Sequence, residues 1–116
     1  MKEKMTEIKS GEKSYFLVFN LNVMESIQED YDTFEKWAKL LEESEPNIKA
    51  LKKGFFYMMN EAIDILNEKN NTTEPFVTLK QVGRILTSLD QSSVVGKMQD
   101  LIIKSTADTE ENSKNE

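Results

Sequence analysis

Carboxylates are the only chemistry-bearing side chains that this 116-residue chain holds in quantity, 21 Asp and Glu against 15 Lys and Arg. Two groups have a spacing that invites a chemical reading. Glu61, Asp64 and Glu68 recur at helical intervals, so two of them could share a face as general acid and base. The same spacing puts them on the polar side of a helix, where water keeps carboxyl pKa values ordinary. Glu29, Asp30 and Asp32 are dense enough to suggest an oxygen-ligand cation site. A calcium loop needs acids at alternate positions, a glycine for the turn and a late glutamate. Tyr31 and Thr33 interrupt that pattern here, and no glycine follows. There is no histidine, the commonest general base and metal ligand. There is no cysteine, which excludes disulfides and thiolate metal sites. Gly11, Gly54, Gly83 and Gly96 are all isolated, so no phosphate-cradling loop is present. The expectation is a protein that is not an enzyme and holds no metal or cofactor.

The stronger signal is for binding. Residues 47–67 read as one helix with Asn47 as its N-cap. At about 100° per residue, Ile48, Leu51, Phe55, Met59, Ala62 and Leu66 form a stripe. Met58 and Ile65 widen it on one side, Phe56 and Ile63 on the other. A helix packed on one neighbour needs an apolar face of roughly 100°, and this one has about twice that. It is expected to be a central helix covered from two sides, or to offer one flank to a partner. Methionine adapts to irregular apolar partners. Phe55 and Met58 are assigned to the core; Phe56, Met59 and Ile63, on one flank, are the candidate partner-binding residues.

Other elements must position that helix. Residues 4–19 alternate around Ser10-Gly11-Glu12 and read as a β-hairpin, whose open edges are places for strand addition. Residues 22–45 read as one broken helix or two short ones. Asn22 with Glu25, and Asp32 with Glu35, give capping-box patterns. Pro46 closes that unit. Residues 67–74 read as a polar loop. Thr78 and Gln81 form another capping box, with Phe76 near the staple position. Residues 78–104 then carry two helical stripes, the second starting at Ser92 or Ser93. Gly54, Gly83 and Gly96 fall inside helical patterns, where close approach of helices is the expected reason. From Thr106 no hydrophobic residue larger than alanine occurs, so 106–116 is expected to be a disordered acidic tail. The fold class is α+β, mostly α. A hairpin is followed by a small bundle of four to five helices in one domain, residues 1–105.

The net charge of −6 is unevenly spread: residues 20–77 carry −6 and residues 78–105 carry +2. An acidic chain is a poor general ligand for nucleic acid, because phosphate contacts dominate that affinity. Residues 78–103 fit a helix-turn-helix loosely, but residues 92–99 offer only Lys97 and Gln99 to read bases. No segment resembles a signal peptide or approaches the roughly 20 apolar residues of a membrane span. A soluble, cytoplasmic protein with no membrane partner is expected.

Several segments together carry a resemblance. They are Tyr15 to Glu29, Phe34-Glu35-Lys36-Trp37, Glu45 to Leu51, Asn60 to Asp64 and Thr78 to Leu86. In this order, over roughly residues 10–105, the chain resembles the tail assembly chaperones of long-tailed phages and prophages of low-GC Gram-positive bacteria. The resemblance implies a small non-enzymatic protein that binds the tape measure protein. It would keep that client soluble in the host cytoplasm until the tail tube polymerises around it, and be absent from the virion. Self-association is a further expectation, and in this family a longer form is often made by frameshifting. The rival expectations are a small prophage DNA-binding regulator using residues 78–104, or a structural tail completion protein.

Overall fold

A computed structural model describes the backbone of residues 4–115 and the side chains of residues 4–106. Strands β1 (Met5–Ser10) and β2 (Lys13–Val18) form an antiparallel hairpin. Five helices follow: α1 (Leu21–Tyr31), α2 (Phe34–Glu42), α3 (Ile48–Asn70), α4 (Leu79–Thr87) and α5 (Gln91–Asn115). The two-residue loop needs one left-handed residue, and Gly11 supplies it at φ 64°. The register pairs Ser10 with Lys13, Ile8 with Tyr15 and Thr6 with Leu17. Ile8 and Leu17 are thereby placed on one face, and both are buried.

Residues 21–42 form two helices, and their caps differ from the sequence patterns. Asn20, not Asn22, caps α1: its backbone is extended and its Oδ1 accepts from the Val23 N–H at 3.2 Å. Asn22 lies inside the helix and donates to Glu61 instead. Asp32 does not start α2. It ends α1 with φ 72° and ψ −50°, at the centre of a γ-turn in which the Thr33 N–H donates to the Tyr31 carbonyl at 2.8 Å. Thr33 caps α2, its Oγ1 accepting from the Lys36 N–H at 3.1 Å. Asn47 caps α3 as expected, accepting from the Ala50 N–H at 2.9 Å. The Thr78–Gln81 capping box of α4 is formed in both directions. Val77 occupies the residue before that cap and is half-buried, whereas Phe76 is 57% exposed. Helix α3 runs three residues past the expected end, and Asn71 closes it in the left-handed region at φ 54°. The disordered tail expected over 106–116 falls largely on side chains outside the described residues; the backbone of α5 runs through it to Asn115.

The core is continuous through all of these elements. Helix α3 contributes Ala50, Leu51, Phe55, Met58, Met59 and Ala62, all buried. Trp37 of α2 lies on Gly54, and its Nε1 donates to the Ala50 carbonyl at 2.9 Å. Phe34 stacks between Trp37 and Phe19, with ring centroids 5.4 and 5.6 Å away. Helix α4 adds Val82, Ile85 and Leu86, and α5 adds Val94, Met98 and Leu101. Ile48, expected in the α3 stripe, is 57% exposed at the first turn.

The glycines separate into distinct cases. A Cβ at Gly54 would sit 2.4 Å from Trp37 Cζ2, so close approach explains this residue. A Cβ at Gly96 would meet nothing within 4 Å, so close approach does not explain that one. Gly54→Ala should destabilise the protein by about 1–3 kcal/mol despite the better helix propensity of alanine. Gly96→Ala should stabilise it by about 0.5–1 kcal/mol. Urea denaturation of the two variants checks both signs.

Candidate binding surface

Three elements build one apolar groove of about 380 Å³: the outer side of β2, the second half of α3, and the segment 72–77. Met59, Ala62, Ile63 and Leu66 of α3 form its floor, with Phe16 on one wall and Val77 on the other. Met59 and Ala62 are fully buried beneath it, while Phe16, Ile63, Leu66 and Val77 are half-buried. The groove therefore has a buried apolar floor, with Lys13, Asn70 and Glu74 adding polar groups at its rim.

Two asparagines hold its outer wall. Asn60 and Asn67 lie seven residues apart, hence on one face of α3. Asn60 donates to the Val77 carbonyl at 3.1 Å and accepts from the Val77 N–H at 2.8 Å. Asn67 does the same with Glu74, both at 2.9 Å, and also accepts from Thr72 Oγ1. Each amide thus pairs with one peptide as a neighbouring strand would. The only sequence signal for this was two amides one heptad apart; nothing local identified their partners.

The opposite wall is a strand edge. In a hairpin closed by a two-residue loop, Ser10 and Lys13 exchange hydrogen bonds, and so does every second pair after them. The N–H and C=O groups of Ser14 and Phe16 consequently face away from β1. No backbone bond joins them to another element among the described residues.

Of the three candidate partner-binding residues, the structure brings two together. Met59 and Ile63 share the groove, but Met59 is 0% exposed and acts as core. Its assignment to a free flank is corrected: β2 covers that side of α3. Ile63 remains accessible. Phe56 lies elsewhere, half-buried and edge-on to Tyr57 with ring centroids 5.4 Å apart. Phe55 and Met58 are fully buried, as expected.

Three of the carboxylates, Glu61, Asp30 and Asp32, take up separate structural bonds. Glu61 accepts from Asn20 Nδ2 at 2.7 Å and Asn22 Nδ2 at 2.8 Å, tying α3 to the start of α1. Asp64 and Glu68 are exposed. Asp30 accepts from the Tyr57 hydroxyl and pairs with Lys53 at 3.2 Å. Asp32 pairs with Lys36 at 2.8 Å on the next helix. Among the described residues no three carboxylates are gathered as metal ligands. The Tyr57 hydrogen bond, helped by Lys53, holds the Asp30 carboxyl below the ordinary range against a smaller opposing effect of burial. Burial, then the Asp30 hydrogen bond, pushes the Tyr57 phenol well up.

No protein-family model, curated protein or solved structure matches the chain. Among the described residues no helix is long and apolar enough to cross a membrane.

Asn60→Ala should release the Val77 peptide and cost about 1–3 kcal/mol. Faster hydrogen exchange at the Val77 amide, with α1 and α2 unchanged, is the expected reading. For Asp30, a depressed folded pKa contributes stability above the unfolded value that is lost as pH falls through the folded one. Tyr57→Phe should therefore cost about 1 kcal/mol near neutral pH. The difference from wild type should shrink as pH drops below the ordinary carboxylate range, which denaturation at several pH values measures.

Proposed function

We propose that this chain is a non-enzymatic binding protein of the phage tail assembly chaperone type. In this reading it binds the tape measure protein and keeps it soluble in the bacterial host cytoplasm during tail tube assembly, without entering the finished particle. The observation that carries the reading is the groove beside Ile63. Apolar side chains line most of its surface, and buried residues of α3 form its floor. A client of long helices with exposed apolar stripes would lay one stripe there, as amphipathic helices do in hydrophobic grooves. The acidic balance of the chain supports solubility of the resulting complex. The resemblance in residues 10–105 supplies the identity of the client.

Co-expression with the tape measure protein from the same tail gene cluster tests this directly. The expected result is a soluble co-eluting complex, with the client insoluble when made alone. Ile63→Asp should abolish co-elution while the helical circular dichroism stays at the wild-type level. A client left insoluble by the wild-type chain would overturn the reading. Wild-type binding by the Ile63→Asp variant would remove the groove from it.

A further inference from the structure

A second groove lies between α3 and α4, and its charge is opposite to that of the chain, which carries −6 overall. Its volume is about 580 Å³. Leu51 and Leu86, both buried, form the floor, and Lys52, Lys80 and Arg84 stand around it with no carboxylate among the lining residues. The cations come from two helices to one rim. Lys80 and Arg84 are about one turn apart on α4, and both are exposed. Lys52 reaches over from α3 across Gly83, where a Cβ would come within 3.2 Å of its Cε and 3.4 Å of its Nζ. Among the described residues the ion pairs involve Lys36, Lys53 and Lys104, and none of the three groove cations. Ile48 stands at the same rim, 57% exposed.

Helix α3 does not supply the counter-charge from its own middle. Lys52 and Glu61 are nine residues apart, so they leave α3 in directions about 180° apart. Glu61 is engaged on that far side by Asn20 and Asn22 at the start of α1. The walls of the groove specify the form of a ligand. Every lining residue belongs to α3, α4 or the first turn of α5, so no strand edge borders it. An extended segment laid there would leave peptide groups unpaired over Leu51 and Leu86, which is costly. A helix arrives with those bonds already made. Three cations around an apolar floor also suit carboxylates that flank apolar side chains. They suit a nucleic acid less well, because its affinity comes from many phosphate contacts.

We propose that the α3–α4 groove binds an acidic amphipathic helix of a different protein, with leucine-like side chains on one face and carboxylates beside them. The apolar face covers Ile48, Leu51 and Leu86, and the carboxylates meet Lys52, Lys80 and Arg84. Gly83 keeps Lys52 in that set, because a side chain there would crowd its stem. The charges set orientation and speed encounter, while covering Ile48 adds apolar contact area. The surface is separate from the Ile63 groove, and the inference does not depend on the client proposal.

Fluorescence anisotropy of a labelled synthetic peptide, titrated with the full chain, tests it. The probe is a helix of about 20 residues with leucine on one face and glutamate flanking it. Saturable binding is expected at about 50 mM salt, weakening at least about tenfold at about 500 mM. A control peptide with lysine at every glutamate position should bind at least about tenfold more weakly. Lys80→Glu with Arg84→Glu should weaken binding of the acidic peptide at least about tenfold. Ile48→Ser should weaken it about fivefold, since an exposed apolar contact is lost and no charge changes. Should the charge-reversed variant lose its helical circular dichroism, Lys80→Ala with Arg84→Ala takes its place with the same expected direction. Ile63→Asp should bind the peptide as wild type does, which separates this site from the client groove. The proposal is overturned by no saturable binding at low salt, by equal binding of the lysine control, or by undiminished binding to the folded charge variant. Loss of binding in Ile63→Asp would move the peptide to the other groove and overturn it too. A short DNA duplex bound more tightly than the peptide would assign the cations to nucleic acid instead. Sedimentation as more than one copy, reversed by the peptide, would give the groove to a second copy and likewise end the proposal.

Discussion

Helix α3 is apolar over about half its circumference, and water must be kept from that whole arc at once. One neighbour cannot do this, because a helix or hairpin covers only about a third of a helix surface. The rest of the chain is arranged around the requirement. Trp37 of α2 lies on Gly54, β2 runs past Met59 and Ala62, and α1 and α4 close the remaining sides. The absence of a side chain at Gly54 is what lets an indole reach the backbone and donate to the Ala50 carbonyl. A core of this kind leaves little freedom in how the short elements sit, since each has only one apolar face to offer.

Polar side chains then fix the positions that apolar packing leaves loose. Glu61 gathers Asn20 and Asn22, so the first turn of α1 is registered against the middle of α3. Tyr57 and Lys53 converge on Asp30 and register its last turn. Asn60 and Asn67 bind the peptides of Val77 and Glu74 and hold an irregular segment against a regular helix. A backbone segment without strand or helix partners needs such substitutes, because unpaired peptide groups near an apolar surface are costly. Of the carboxylates singled out by their spacing, Glu61, Asp30 and Asp32 are engaged in structural bonds.

Those same constraints generate the surfaces. The Ile63 groove exists because segment 72–77 is held at the far rim while β2 lines the near one, leaving the α3 floor between them partly uncovered. A second groove lies where the first turns of α3, at Ile48 and Leu51, meet the last turn of α4, at Leu86 and Thr87. Function in this reading comes from incomplete coverage of one central helix, with the charge at each rim deciding what can approach.

The sequence by itself determined the hairpin, the helical character of residues 22–45, 47–67 and 78–104, the caps at Asn47 and Thr78, and the wide apolar arc of α3. These rest on local periodicity and short-range hydrogen bonding, which neighbouring residues report directly. It also marked Phe55 and Met58 as core, the first in the central stripe and the second on the flank opposite Phe56 and Ile63. Only the tertiary structure decided which edge of that arc stayed open. Met59 and Ile63 differ by four residues and point the same way, yet β2 buries one and leaves the other half-exposed. Asn20 rather than Asn22 caps α1, and Glu61, some forty residues away, accepts from both side-chain amides. Coverage and pairing of this kind depend on what arrives from distant parts of the chain, and no spacing within a single helix encodes it.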